Sequence, residues 1–278
     1  MIHFVVALPS EARPLIDRYR LKPVNHAEPF RIYEGGDKRL ITSGTGKTQA
    51  ASAAAFLYAF SSGARNQVWL NVGIGGHGKR NIGEGVLAHK ITDRASGASW
   101  YPPIVFEPPC PTESLLTVDR PETDYHESWV YEMEAAGFYG TASRFSTAEL
   151  VQCYKVISDN QNSSSRKISA PFVEKLIGGR LAEIDAILKE TSDLASELAL
   201  LDAPAPEFQE FLMSWHITVS EQYRLKRFLR RLGSPTQGQR LGFARGHRRV
   251  VLMLKIALPA HLILLEADSP AFLRRGRQ

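Results

Sequence analysis

Apolar runs of strand length, separated by helical patterns of ten or more residues, constrain this chain most. Residues 2–8, 67–72, 83–91, 115–118 and 152–158 read as strands. Pro9-Ser10-Glu11 turns into a helix reaching about Tyr19, with Ser10 as its expected N-cap. An Ala-rich helix is expected over residues 47–60, and another opened by Glu132-Met133-Glu134. Residues 31–34 and 39–43 flank Gly35-Gly36-Asp37, a hairpin signal. This alternation predicts an α/β chain, a three-layer αβα arrangement around a mixed, largely parallel central sheet. Such sheets hold ligands at the carboxyl ends of their strands. Glu11, the turn at residues 44–46, the turn at residues 73–76 and Asp159 are therefore expected on one face.

Beyond Asp159 the pattern changes. Residues 170–203 read as one long amphipathic helix and residues 207–232 as a second, broken from the first by Pro204 and Pro206. The expected organisation is a main domain over 1–180, a C-terminal α-helical extension over 181–241, and a poorly ordered basic tail over 242–278. The basicity belongs to this end. Residues 222–278 hold 13 Lys/Arg and 2 Asp/Glu, while the whole chain has a net charge of only +5. The helix from Arg224 to Arg231, interleaved with Tyr223 and Phe228 and preceded by Trp215, can be read as a nucleic-acid contact. A solvated cationic helix face is the more common reading and is favoured.

Several classes are excluded. At 278 residues with 44% hydrophobic content the chain can bury a sizeable core. The start shows no secretory leader, and the longest apolar stretches are too short to span a bilayer. A cytoplasmic location without membrane attachment is expected. Cys110 and Cys153 are far apart and form no CxxC, and the eight histidines form no HxxxH pair. Neither a disulfide framework nor a metal site is expected.

Gly44-Thr45-Gly46-Lys47-Thr48 suggests a triphosphate loop, but the required glycine five residues before Gly46 is Ile41. What remains is a Gly-rich turn into a helix, whose amides can hold an anion or water, or serve only as a turn. Asn71-Val72-Gly73-Ile74-Gly75-Gly76 ends a strand in three glycines, which permit close approach of a flat ligand or simply a tight turn. Glu134 is followed 25 residues later by Asp159. One carboxylate at a helix start and one at a strand end can hold a substrate and give a proton; they can equally be a cap and a turn residue.

Taken in order, Leu8-Pro9-Ser10-Glu11, Ser43-Gly44-Thr45-Gly46, Asn71 to Gly76, Gly83-Glu84-Gly85, Glu132-Met133-Glu134-Ala135 and Ile157-Ser158-Asp159 resemble the nucleoside phosphorylase superfamily. The branch they most resemble is the 5'-methylthioadenosine/S-adenosylhomocysteine nucleosidases, over about residues 1–180. The resemblance implies N-glycosidic cleavage of a purine nucleoside or thionucleoside without cofactor or metal. It implies that Glu11 activates water, that Asp159 protonates the leaving purine, and that Met133 and Glu134 hold the ribose. Glu132, Ser158, Lys155, Gly46, Ile74, Gly75 and Gly76 are the further expected substrate-site residues. Two alternatives remain: a phosphorylase using phosphate as co-substrate, and a non-catalytic nucleoside-binding protein. The family implies a homo-oligomer.

The chain also departs from that pattern. Ile74 stands where the family often has a serine, and Lys155 where it has an arginine. The interval between residues 93 and 131 is shortened, and the aromatic that stacks on the base has no clear counterpart. Trp100, Tyr101 and Phe106, in or beside the proline-rich stretch 101–111, are the candidate replacements.

Overall fold

The protein is described here by a computed structural model covering residues 1–233, apart from 26–28, 62–65, 123, 127, 164–167, 203–205 and 215–217. The expected basic tail at 242–278, the last residues of the expected helical extension, and Trp215 lie outside the described residues.

In chain order the elements are β1 (Ile2–Val6), α1 (Pro9–Tyr19), β2 (Lys22–Pro23), β3 (Arg31–Gly35), β4 (Lys38–Thr42), α2 (Lys47–Phe60), β5 (Val68–Gly76) and β6 (Gly85–Asp93). They continue with β7 (Ser99–Trp100), β8 (Thr112–Thr117), β9 (Val130–Glu132), α3 (Ala135–Ala142), β10 (Val151–Asp159), α4 (Ala170–Gly178), α5 (Leu181–Asp202), α6 (Pro206–Ser214) and α7 (Val219–Gly233). The strands form one sheet in the order β10-β6-β8-β9-β5-β1-β4-β3-β2, with β7 on β6. Because β10 also pairs with β5, five strands (β5, β9, β8, β6 and β10) close into a ring.

The sheet is mixed. Parallel pairs are β1–β4, β1–β5, β5–β10, β6–β8 and β8–β9. Antiparallel pairs are β2–β3, β3–β4, β5–β9, β6–β7 and β6–β10. The hairpin edge is antiparallel, and the ring mixes both kinds: β5–β9 and β6–β10 are antiparallel, while the β5–β10 pair that closes it is parallel.

Both faces of the central strands are covered, which is why those strands read as continuous apolar runs. Along β1 and β5, Val5 and Trp69 point into a cluster with α2 and α3, where Ala50, Ala53, Leu57 and Phe138 are buried. Phe4, Val6, Leu70 and Val72 point the other way, against Leu15 of α1, Val173 and Ile177 of α4, and Ile184 and Ile187 of α5. Small residues let α2 and α3 approach closely, since a Cβ on Gly137 would collide with the Lys47 carbonyl.

Four local expectations are corrected. The residue capping α1 is Leu8, not Ser10: the Glu11 carboxylate reaches back to accept the Leu8 N–H at 2.8 Å. Glu132 does not open a helix. It ends β9, and its Oε2 accepts the Glu134 and Ala135 N–H groups at 2.9 and 2.8 Å, so that the helix starts after it. The expected long helix is two, α4 and α5, divided at Gly178-Gly179, where glycine weakens the helix. The last helix is also two, with Thr218 and Glu221 forming a capping box at the start of α7.

The chain divides into two compact units, Met1–Leu198 and Ala199–Gln278. In the second, α6 and α7 bury Phe208, Phe211, Leu225 and Leu229, and Lys226 Nζ lies 4.9 Å from the Phe208 ring centroid. Its exposed residues include Tyr223, Arg224, Lys226 and Arg227. Among the described residues, no helix is long and apolar enough to cross a membrane.

Candidate active site

The end of β5 organises the site. The turn after β1 brings Glu11 to it. Glu11 is 2% exposed; its Oε2 accepts the Ala7 and Leu8 N–H groups at 3.0 and 2.8 Å, and its Oε1 accepts the Ile74 N–H at 3.0 Å. A carboxylate has about four acceptor positions, so roughly one remains for water. Burial, reinforced by the neighbouring Glu134 carboxylate and opposed by Lys155, pushes Glu11 up to about 7.

On the other side of β5, β10 runs parallel with Lys155 opposite Gly73. Lys155 is fully buried, with Nζ 2.9 Å from Glu132 Oε2 and 3.7 Å from Glu134 Oε2. Nζ has no well-aligned acceptor among the described residues, so charge holds it in place and N–H donors are left over. Burial acts to lower its pKa, but the three carboxylates Glu132, Glu134 and Glu11 outweigh that and raise it. Gly73 makes room for the meeting: a Cβ there would lie 3.0 Å from Lys155 Nζ and 3.1 Å from Glu11 Oε1.

The two glutamates of β9 and α3 separate in behaviour. Burial acts to raise Glu132, but Lys155, the Thr117 hydroxyl and the backbone amides hold it below the ordinary carboxylate range. Glu134 is raised, by burial first and by repulsion from Glu132, against the pull of Lys155. Its Oε1 accepts the Gly46 N–H at 2.9 Å. Gly46 has φ +105°, a conformation that favours glycine and aims this amide at the site.

Asp159 stands at the end of β10, opposite Gly76. The register of β10 against β5 slips between Ile157 and Asp159, so Ser158 is an extra residue in the strand. Such bulges re-aim strand ends. Ser158 Oγ donates to Asp159 Oδ1 at 2.6 Å, and the Tyr125 hydroxyl donates to Oδ2. Three residues of β5 separate the level of Glu11 from that of Asp159, on the order of 10 Å at about 3.3 Å per residue.

No protein-family model matches the sequence, and no curated protein matches it. Solved structures do match the fold. The 5'-methylthioadenosine nucleosidase of Arabidopsis thaliana superposes with a TM-score of 0.56 at 14% identity, covering 68% of this chain and 95% of that one. The 5'-methylthioadenosine/S-adenosylhomocysteine nucleosidase of S. pneumoniae, determined with a transition-state inhibitor, gives 0.53 at 17% identity, covering 68% and 98%. A Helicobacter pylori nucleosidase mutant with 5'-methylthioadenosine in its active site gives 0.53 at 14% identity, covering 68% and 98%. The chain has the nucleosidase fold.

In this nucleosidase fold Glu132, Glu134, Lys155 and Gly46 form one hydrogen-bonded and ion-paired cluster, and Glu11, bonded to the Ile74 amide, faces Lys155 across the space left by Gly73. Asp159 and Ser158 form a second group with Tyr125. Met133 packs against the cluster of Leu116, Val118, Tyr125 and Tyr131. Gly75 faces away from open space: a Cβ there would lie 2.5 Å from Val130 Cγ1, so it serves the β5–β9 contact. Gly76 faces the Tyr125 hydroxyl.

None of the three aromatics expected beside the base is in the Asp159 group. Trp100 packs on Gly140 of α3, Tyr101 is 66% exposed, and Phe106 joins the α1–α4 core. Tyr125 stands there instead. Neither Tyr125 nor Thr117 carries a sequence signal, because both act through contacts made by distant strands.

Proposed function

We propose that the protein cleaves the N-glycosidic bond of a purine nucleoside or thionucleoside by hydrolysis. The observation that carries this is the buried Glu11–Glu134–Lys155–Glu132 cluster at the end of β5, with Asp159 farther along the same sheet edge. Glu134 would accept the ribose hydroxyls. Glu11, raised to about 7, is poised as a general base near neutral pH. It would take a proton from water as the oxygen attacks the anomeric carbon. The carbon–nitrogen bond breaks with its electrons passing to the base, and Asp159 would pass a proton taken from solvent to the purine ring. Products are the free base and the free sugar, and both carboxyls reset by exchange with solvent.

Hydrolysis is preferred to phosphorolysis because a phosphate dianion would meet Glu11 and Glu134, both carboxylates. Lys155 is already paired with Glu132, and Lys47 is drawn to Asp93 and Asp119 at 2.7 and 2.9 Å. A non-catalytic nucleoside-binding role is the second reading, favoured by the Tyr125 contact that occupies Asp159. Incubation with methylthioadenosine, adenosine and inosine, with and without phosphate, tests all three. Free base released without phosphate supports hydrolysis; a strict need for phosphate, or tight binding without turnover, favours an alternative.

A further inference from the structure

Each oxygen of Asp159 accepts a side-chain hydroxyl. Oδ1 is taken by the Ser158 hydroxyl and Oδ2 by the Tyr125 hydroxyl. Tyr125 is buried at 6% exposure, in an apolar cluster with Leu116, Val118 and Tyr131; Met133 packs against it. Its ring meets Tyr131 edge-on, with centroids 5.2 Å apart and planes at 60°. Its carbonyl accepts Gln161 Nε2 at 3.5 Å, at the limit of a hydrogen bond. The hydroxyl fits only because residue 76 is glycine, whose missing Cβ leaves the space that Tyr125 fills.

While the Tyr125 hydroxyl stands against Oδ2, it takes the place that a base nitrogen would need on that oxygen. We propose that Tyr125 caps Asp159 in the free protein and that the base must displace this hydroxyl to reach the acid. The proposal rests on the purine-site reading above and adds a residue that sets affinity. Tyr125 is then an intramolecular competitor, and apparent affinity is lowered by the fraction of molecules in the capped form. A form capped about nine-tenths of the time lowers affinity about tenfold.

Calorimetric titration of adenine into the wild-type chain and Tyr125→Phe, with thermal melts of both, tests this. Phenylalanine keeps the ring packing on Tyr131 and removes only the hydroxyl; Tyr125→Met is the second hydroxyl-free variant should the first fold poorly. The cap predicts opposite movements: adenine binds about tenfold more tightly while the melting temperature falls by a few degrees. A tyrosine that is merely structural loses both, so unchanged or weaker binding in the variant overturns the cap and leaves the purine site standing. Tighter binding without nucleoside cleavage supports the cap and refutes catalysis. Failure of both chains to bind adenine overturns the cap together with the purine site.

Discussion

Replacing Lys155 by methionine removes the cation that ion-pairs with the buried Glu132 and Glu134. Its Nζ is 2.9 Å from Glu132 Oε2, and the two side chains are 1% and 0% exposed. At an effective dielectric of 20, a pair at that separation attracts by about 6 kcal/mol before desolvation is counted. Taking away one partner of a buried pair typically costs about 3–5 kcal/mol, because the remaining charge is uncompensated. That is a large share of a domain stability of roughly 5–15 kcal/mol. Lys155→Met should therefore lower the melting temperature by about 10 °C and shift the urea midpoint accordingly. The loss should depend on pH. Near pH 8 the orphaned Glu132 is ionised and the full cost appears; near pH 5 it can take up a proton, and less than half the cost remains. Lys155→Arg keeps the charge and should recover more than half. Urea titrations of the three chains at pH 5 and pH 8 measure this. A loss below about 1 kcal/mol at pH 8, or one independent of pH, would refute the idea that the ammonium neutralises the cluster.

Other outcomes follow from the same geometry. Glu11 is raised to about 7, so kcat/KM should climb with pH through about 7, and Lys155→Met should move that limb upward because Lys155 opposes the rise. Because its folded value lies above its ordinary one, Glu11 stabilises the fold fully below about pH 4.5 and loses that contribution, about 3 kcal/mol, as pH rises through 7; comparison of wild type with Glu11→Gln across this range checks it. Asp159→Asn should cut base release by about 10²–10⁴-fold in steady-state assays. Gly75→Ala should destabilise by about 1–3 kcal/mol in urea unfolding, because its Cβ would lie 2.5 Å from Val130 Cγ1.

The strand–helix alternation made much of the fold legible. Residues 47–60 form the expected helix end to end, because alanines with no competing signal leave little choice. β9 was not legible: it is three residues long and runs into helix-forming residues, so Glu132 reads as part of α3. The break between α4 and α5 was hidden by an apolar stripe that continues across Gly178-Gly179. In the site, the acids were legible because strand ends mark where a layered sheet presents chemistry. Tyr125 was not, since its place depends on the ring formed by β5, β9, β8, β6 and β10, and on space left by Gly76. Ile74 contributes its backbone N–H, which every residue except proline carries and no motif can single out.

We propose that Glu11 of α1, Glu134 at the start of α3 and Asp159 at the end of β10 together break a glycosidic bond with water. Incubation of the purified chain with methylthioadenosine in phosphate-free buffer, following free adenine by chromatography, tests it most directly. Adenine and the free sugar should appear in equal amounts, with release lost in Asp159→Asn. Intact nucleoside after prolonged incubation with folded protein, across adenosine and inosine as well, would contradict it.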